Sequence, residues 1–390
     1  MISVADALGR LFALVTPTGV ETVPLRAAAG RVLARTVAAL REQPPFAASA
    51  MDGYALRASE ALPGARFAVV GESAAGSLWP GHVRPGEAVR IFTGAPVPDG
   101  ADFVVIQEDV TRTGDAIVLG ERVEPNPNIR PAGADFRLGD AFPAPRRLRP
   151  ADIALLAAMN HAALPVHRRP EVALIATGDE LVQPGETPGP GQIVASNSYG
   201  LAALFEAAGA RVRMLPIARD TEASLVAALE HAKGADLTVT IGGASVGDHD
   251  LVGKVAAGLG METAFYKVAM RPGKPLMAGR LHGAPLVGLP GNPVSAMVCG
   301  TIFVCPMLAA TQGLPALPAP RTRLRLTRAL PANGPREHYM RASRSGEGVE
   351  PFDSQDSSLL GILSRADALI VRPPDSPAAS EGDSVECILL

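Results

Sequence analysis

Loops rich in glycine and charged residues follow each of five predicted buried strands in the second half of the chain. These loops are 177–180, 219–220, 242–248, 270–275 and 290–293. Parallel strands bring their carboxyl ends to one edge of a sheet, and ligands of such sheets bind outside that edge. No strand start carries a comparable set of polar residues. The sequence therefore predicts a ligand site at this edge.

The glycines and cations of these loops are suited to an anion. Gly242 and Gly243, followed by Ser245, would allow backbone N–H groups to donate to a phosphate, although the pair also suits a tight strand–helix turn. Arg271 and Lys274 flank Pro272 and Gly273, so both charges would be held by a stiff turn. Two fixed cations suit a phosphate or tetrahedral oxyanion, and the alternative is a solvated loop.

Three carboxylates follow strands and could converge on a cation. Glu180, Asp220 and Asp248 are oxygen ligands of the kind that Mg²⁺ prefers together with substrate phosphates. Considered singly, Asp220 before Thr221 is better interpreted as a helix N-cap, and Asp248 is equally compatible with a cap. The sequence has no HExxH motif, Ser-His-Asp pattern or reactive-cysteine context, which argues against covalent catalysis.

The N-terminal half contains three further polar turns. They hold Asp52, Thr93 and the pair Arg130 and Asp135. From the residues alone, all three are interpreted as β-turns.

Composition limits the class of protein. With 390 residues and a typical domain of about 150, we expect two to four domains. The hydrophobic fraction of 47% excludes a disordered chain. A net charge of −3, and a basic strand at 321–328 without interleaved aromatics, argue against nucleic acid and anionic membranes as partners. Three cysteines without a CxxC pair fit a reducing cytoplasm.

Alternating strands and helices predict a three-layer α/β domain over about 170–318. The expected strands are 172–176, 212–217, 237–241, 263–268 and 285–289, and the expected helices are 198–208, 222–232, 250–259 and 294–310. The last helix is almost entirely apolar. Its 17 residues fall short of the ~20 that span a bilayer, and Pro306 interrupts them, so we expect a buried helix covering the sheet.

The rest of the chain shows shorter elements. Helices are expected at 4–15, 25–40 and 150–160, with a short strand possible at 23–25. Short apolar runs between Gly/Pro turns predict a small antiparallel barrel or sandwich, with strands at 67–70, 88–92, 103–107 and 117–119. Strict alternation at 321–328 and the apolar end 384–390 predict a separate small β domain.

Nine segments, in this order, resemble the molybdopterin molybdenumtransferases, the family of the bacterial MoeA proteins and the E domain of gephyrin. They are SAMDGYA (49–55), FTGAPVPDGAD (92–102), QEDV (107–110), NIRPAGADF (128–136), ATGDEL (176–181), GQIVASNS (191–198), GGASVGDHD (242–250), VAMRPGKP (268–275) and GLPGNPVSAM (288–297). QDSSLLGILSRADALI (355–370) is a fainter match. Ala47, Ala48, Ala134 and Ala278 depart from the family pattern, which leaves room for a paralogue with altered affinity or metal preference.

The resemblance implies an elongated homodimer of four-domain subunits, of multidomain α/β plus β class. The implied division is a discontinuous helical, dimerising domain (1–20, 37–48 and 139–168), an inserted β-rich domain (21–36 and 49–138), an α/β molybdopterin-binding domain (169–318) and a C-terminal β domain (319–390). The site would lie between the α/β domain of one subunit and the N-terminal domains of the other.

The implied reaction converts adenylylated molybdopterin and molybdate to molybdenum cofactor and AMP, with Mg²⁺, in the cytoplasm. The implied metal ligands are Glu180, Asp220 and Asp248, and the implied catalytic residues are these three with Asp52 and Lys274. The implied substrate-binding residues are Thr93, Arg130, Asp135, Thr177, Gly178, Ser196, Asn197, Gly242, Gly243, Ser245, Gly247, Lys267, Arg271, Pro290, Asn292 and Pro293. The resemblance also implies a molybdopterin adenylyltransferase as a partner.

Two alternatives remain open from the sequence. A scaffold protein would hold molybdopterin or the finished cofactor without turnover, although three carboxylates are not what mere binding of an anionic ligand favours. An enzyme of the same class could instead handle tungstate, because tungstate and molybdate are nearly identical tetrahedral dianions.

Overall fold

The computed structural model describes residues 1–243, 251–346 and 348–390. Its α-helices in these ranges are Val4–Leu14, Pro150–Ala158, Asn197–Ala207, Glu222–His231, Leu251–Gly258, Pro293–Cys299, Cys305–Thr311 and Leu360–Leu363. A π-helical turn, Gly300–Val304, joins two of them, and 3-10 turns lie at Leu25–Ala27, Ala58–Glu60 and Gln107–Asp109.

A six-stranded sheet forms the centre of the α/β domain. In spatial order its strands are Arg211–Met214, Glu171–Ala176, Leu237–Ile241, Ala284–Leu289, Met277–Leu281 and Glu262–Tyr266. The first four pair in parallel. Alternate residues of each strand point to opposite faces, so Leu174 packs in one core with Phe205, and Ile175 in another with Leu225. Helices cover both faces, and the three-layer prediction is confirmed.

The strand Met277–Leu281 is absent from the sequence prediction. It runs antiparallel between Ala284–Leu289 and Glu262–Tyr266 and is joined to the former by a turn at His282 and Gly283, both with positive φ. It contains Gly279 and no β-branched residue, so its composition gives little indication of a strand. A short parallel pair, Leu181–Val182 with Ile193–Val194, lies beside the sheet.

The apolar segment near residue 300 is a core helix. Among the described residues, Pro293–Thr311 is the one helix long and apolar enough to cross a membrane, with mean hydropathy 1.9, and 78% of that window is buried inside the protein. Its side chains, among them Phe303, pack with Leu201 and Phe205 of Asn197–Ala207. The prediction of a buried helix covering the sheet is confirmed.

The first helix, Val4–Leu14, packs on the α/β domain. Ser3 caps it by accepting a hydrogen bond from the Asp6 N–H at 3.0 Å. Leu8 and Leu11 are buried in the same core as the sheet. The backbone of Ile2 also bonds to residues 267 and 269. The helix is therefore fastened to the α/β domain along one face.

The helix predicted over 25–40 is wrong. After one 3-10 turn the chain forms the strands Val32–Leu33 and Val37–Ala38. These pair with Arg146–Arg147 and Ala141–Phe142, more than 100 residues away. Gly30 has a φ of 73°, a conformation that interrupts a helix. Long-range pairing here outweighs the local helix propensity of the alanines.

Residues 20–33 form a sheet with strands from 146–167, the part of the chain that follows the β-rich insert. Its order is Val20–Pro24, Ala163–His167, Val32–Leu33 and Arg146–Arg147, and the helix Pro150–Ala158 packs beside it. The predicted division instead grouped 21–36 with the insert. We propose that 21–36 belongs with the discontinuous unit, and the other domain boundaries stay predictions.

The insert and the C-terminal region are both β structures. The insert sheet has the order Phe103–Ile106, Gly53–Leu56, Glu87–Ile91, Arg66–Ser73, Ala116–Leu119 and Val110–Thr113. One of its pairings, Arg66–Ser73 with Glu87–Ile91, is parallel, unlike the antiparallel prediction. A two-stranded pair, Ala48–Ser49 with Ile129–Arg130, adjoins this sheet.

The C-terminal strands close on themselves as a small barrel. They are Thr322–Leu326, Glu337–Ser345, Gly348–Pro351, Ala368–Arg372 and Ser384–Leu389. The short strand Met270–Arg271 of the α/β domain pairs with Glu337–Ser345. Backbone hydrogen bonds thus connect the two domains.

We expect Leu11→Ala to destabilise the protein by about 2–5 kcal/mol, because Leu11 is fully buried where the first helix meets the sheet. Urea unfolding followed by circular dichroism measures the change. Leu317→Ala, at a side chain 63% exposed, is the control and should stay within about 0.5 kcal/mol of wild type. Equal effects of the two substitutions would contradict the packing of this helix.

Candidate functional site

A cavity of about 850 Å³ lies at the carboxyl ends of Glu171–Ala176, Leu237–Ile241 and Ala284–Leu289. This is the edge at which the sequence predicts a ligand site. Eleven of the predicted site residues line it: Thr177, Gly178, Glu180, Ser196, Asn197, Asp220, Gly242, Gly243, Pro290, Asn292 and Pro293. The tertiary structure thus brings together residues from five separate loops.

The diglycine turn at Gly242 and Gly243 favours residues without side chains. Their φ angles are 88° and 64°, in the region that L side chains rarely adopt. A β-carbon on Gly243 would overlap the Val252 side chain, and one on Gly242 would lie 2.9 Å from the Thr177 carbonyl oxygen. The Gly242 N–H donates to the Leu289 carbonyl at 3.0 Å, and binding of an anion by the Gly243 N–H stays a prediction.

Two carboxylates line the cavity. The Glu180 carboxylate folds back over Gly178, where a β-carbon would lie 2.7 Å from Oε1. Asp220 follows the neighbouring strand, and its N–H donates to Asp179 Oδ1 at 3.2 Å. The interpretation of Asp220 as a helix N-cap is wrong, because Thr221 caps Glu222–His231 by accepting from the Ser224 N–H.

These two carboxylates are suited to a divalent cation. Mg²⁺ is commonly held by one or two carboxylates and completed by substrate phosphates and water. Glu180 and Asp220 supply such a pair. The described ranges contain no group of three His, Cys, Asp or Glu side chains that could hold a metal ion. The predicted residues Ser245, Gly247 and Asp248 lie outside the described residues.

Two helices begin at the cavity. Asn197–Ala207 and Pro293–Cys299 both present their N-termini, where the helix dipole favours an anion. Backbone N–H groups add to this at Asn197, whereas Pro293 has none and the Val294 N–H donates to the Ser357 carbonyl at 3.0 Å. Asn197 Nδ2 donates to the Gly291 carbonyl at 2.7 Å, which links the start of the first helix to the loop that precedes the second. Asn197 was predicted from resemblance alone, whereas the loop 290–293 was predicted from its position after a buried strand.

The C-terminal domain and an apolar wall also contribute to the cavity, and neither was predicted from the sequence. Ser358 lines the cavity, and Asn292 Nδ2 donates to Ser357 Oγ at 3.0 Å. The N–H and hydroxyl of Ser358 donate to Asp356 and lower the pKa of that carboxyl. Ile193, 57% exposed, also lines the cavity. The QDSS string at 355–358 was the available signal for the serines.

The predicted cations do not line the cavity in this chain. The Lys267 ammonium lies 5.3 Å from the ring centroid of Tyr266, and Lys274 is exposed beside the cavity-lining Pro275. Arg271 pairs in register with His338 of the C-terminal barrel. Burial, with nearby arginines including Arg271, lowers the pKa of His338 to about 4.

Three of the four N-terminal predictions form a second polar cluster. The N–H and hydroxyl of Thr93 both donate to Asp52 Oδ1 at 2.8 Å, and these bonds lower the pKa of Asp52. Ser49 exchanges backbone bonds with 94–95 and pairs with Ile129, which places Arg130 alongside. Asp135 is anchored by its N–H to the Gln43 carbonyl. None of the four residues lines the cavity.

Comparison with known proteins agrees with this architecture. The MoeA N-terminal region (domains I and II) matches residues 2–160, the probable molybdopterin-binding domain 173–310, and the MoeA C-terminal region (domain IV) 323–390.

Relatives match over nearly the whole chain. A molybdopterin molybdenumtransferase of Nostoc sp. is 36% identical, covering 99% of this chain and 93% of the relative, and that of Bacillus subtilis is 31% identical, covering 100% and 94%. The crystal structure of a molybdopterin biosynthesis MoeA protein from Pyrococcus horikoshii superposes with a TM-score of 0.87 at 28% identity, covering all of both chains. The chain belongs to the molybdopterin molybdenumtransferase (MoeA) family.

Proposed function

We propose that the protein inserts molybdate into adenylylated molybdopterin and releases AMP, completing the molybdenum cofactor. The observation that carries this proposal is the single cavity in which two carboxylates, a diglycine turn and two helix N-termini converge. A substrate with a pyrophosphate bridge needs donors for its phosphate oxygens and a means of offsetting their charge. The family membership of the chain supports the same reaction.

The backbone of the cavity supplies the donors for phosphate. Gly243 together with Ser245, Gly247 and the helix start at Asn197 would hold the phosphates by N–H groups. Gly242, whose own N–H donates to the Leu289 carbonyl, would shape the turn, and the helix that begins at Pro293 would contribute its dipole. Ser196 adds a hydroxyl to the lining, and Thr177 also lines the cavity while its own hydroxyl donates to the Ile241 carbonyl at 3.2 Å. Such contacts fix the pyrophosphate without adding charge.

The carboxylates are assigned to Mg²⁺. Glu180 and Asp220, with Asp248, would hold the ion, which when bound offsets negative charge on the pyrophosphate as AMP leaves. Without a cation, two carboxylates would repel an anionic substrate. Their presence in the lining is therefore evidence for a reacting site rather than for a scaffold that only binds the cofactor.

The remaining residues are assigned to molybdate and to the partner subunit. Lys267, Arg271 and Lys274 would hold the tetrahedral oxyanion. The Asp52–Thr93 cluster, with Arg130 and Asp135, would face the cavity of the other subunit in a homodimer. There Asp52 can accept a proton from a dithiolene thiol of molybdopterin as its sulfur binds molybdenum, and the proton can pass on to the oxo group that leaves as water.

Two features of the cellular setting are part of the proposal. The adenylylated substrate must come from an enzyme that transfers an adenylyl group to molybdopterin. The cytoplasm is the compartment in which we expect both reactions.

We expect Asp220→Asn to lower the rate of AMP release about 100-fold, because the substitution removes a negative charge that would hold Mg²⁺ at the pyrophosphate. AMP is measured by chromatography with purified protein, adenylylated molybdopterin, Mg²⁺ and molybdate. Glu222→Gln, an equivalent charge loss two residues away that does not line the cavity, is the control and should retain wild-type turnover. Full activity of the Asp220 variant would remove the metal assignment.

We expect Gly243→Ala to weaken binding of adenylylated molybdopterin about tenfold or more, since a side chain at this φ costs about 1–2 kcal/mol and displaces the turn. Isothermal titration calorimetry gives the Kd. The matched control is Gly258→Ala, at the end of Leu251–Gly258, where an added β-carbon meets no atom within 4 Å. Unchanged affinity in the Gly243 variant would contradict a phosphate-binding site at this turn.

A further inference from the structure

The Arg90 side chain contacts the turn that carries Asp52. It lies on the strand Glu87–Ile91 and is the cross-strand partner of Tyr54. Its guanidinium lies over two aromatic rings, 5.1 Å from the centroid of Tyr54 and 4.8 Å from that of Phe92. Stacking on two faces restricts the rotation of a side chain that is otherwise flexible.

The guanidinium also bonds to the backbone next to Asp52. Nη1 donates to the carbonyl of Gly53 at 3.2 Å, and Nη2 donates to Oε1 of Gln107 at 2.6 Å. The Gln107 N–H in turn donates to the carbonyl of Asp52 at 3.0 Å. Arg90 therefore holds the carbonyls of two successive residues, one directly and one through Gln107.

The turn has no room to shift toward the neighbouring strand. A β-carbon on Gly53 would overlap the carbonyl oxygen of Val105, which shows how closely the two backbones approach. On the other side, the Thr93 N–H and hydroxyl both donate to Asp52 Oδ1. In the part of the chain that the structure describes, Asp52 Oδ2 has no hydrogen-bond partner and is the oxygen left to accept from a ligand.

We propose that Arg90 is a positioning residue, which fixes the Asp52 turn so that Thr93 occupies one carboxylate oxygen and leaves the other for the reaction. This inference rests on the proposed role of Asp52. A lysine could supply the charge but not the planar fork that bonds in two directions while stacking on two rings. Arginine is therefore required by geometry as well as by charge.

The test compares Arg90→Met, Arg90→Lys and a control, Arg66→Met, on the adjacent strand of the same sheet. Arg66 is exposed, so its substitution removes the same charge without touching the Asp52 turn. In wild type the pKa of Asp52 is lowered by the Thr93 hydrogen bonds and by the charge of Arg90. Carbon-13 NMR titration of the aspartate carboxyls follows this pKa, and hydrogen exchange follows the Thr93 amide.

We expect the pKa of Asp52 to rise toward its ordinary value in Arg90→Met, and the Thr93 amide to exchange faster. The kcat for AMP release should fall about 10- to 100-fold without a matching rise in KM, because the substrate still binds but the acceptor is misplaced. Arg90→Lys should keep part of the pKa shift yet lose kcat. Arg66→Met should behave as wild type in every measurement.

The two proposals fail in different ways. If Asp52→Asn retains full AMP release, the role of Asp52 in the reaction is wrong, while the NMR pKa and Thr93 exchange still decide whether Arg90 positions the turn. If Arg90→Met leaves both NMR readouts at the values of Arg66→Met, the positioning role is overturned. The lysine variant decides the same question if the methionine variant does not fold.

Discussion

Parallel pairing of the central strands is the constraint on which the cavity depends. Glu171–Ala176, Leu237–Ile241 and Ala284–Leu289 run side by side in one direction, so their three following loops emerge at one edge. Buried apolar residues on both faces fix the register, because a shift by one residue would turn each core side chain to the other layer. The polar residues of the loops are brought together as a consequence of this packing.

The neighbouring domains then complete the edge. Val4–Leu14 covers part of the sheet, and Met270–Arg271 extends the C-terminal barrel, so the position of that barrel is tied to the α/β domain by backbone hydrogen bonds. Through Asn292 and Ser357 the barrel reaches the cavity and contributes Ser358 to its lining. The cavity is therefore built by two domains.

The chain separates two kinds of polar chemistry. The cavity combines carboxylates with helix N-termini, which suits a polyanionic ligand held with a cation. In the second cluster, the carboxylate of Asp52 accepts hydrogen bonds from Thr93, and Arg90 holds the backbone of the same turn at Gly53. That arrangement stabilises an ionised acceptor in a fixed position. In a single chain the second cluster stands apart from the cavity lining, which is consistent with the proposed use of two subunits.

Much of this followed from the sequence because the determining patterns are local. Buried strands ending in Gly-rich or charged loops predicted the α/β sheet and the edge that carries the cavity, and the apolar run near Phe303 predicted its covering helix. Five of the nine family segments contain most of the lining residues. Pairing between distant segments was not predictable in this way. The strands within 25–40 form because residues 141–147 return to pair with them.

The same distinction holds within the site. The sequence alone determined that Glu180 and Asp220 each follow a strand, and the structure showed that the two strands are neighbours. Only the tertiary structure decided that Thr221 caps the helix beside Asp220, that Ser358 joins the lining, and that Arg90 supports the Asp52 turn. Residue type and the order of the strands can be read along the chain. These contacts join residues that are distant in sequence, so they form only when the domains pack together.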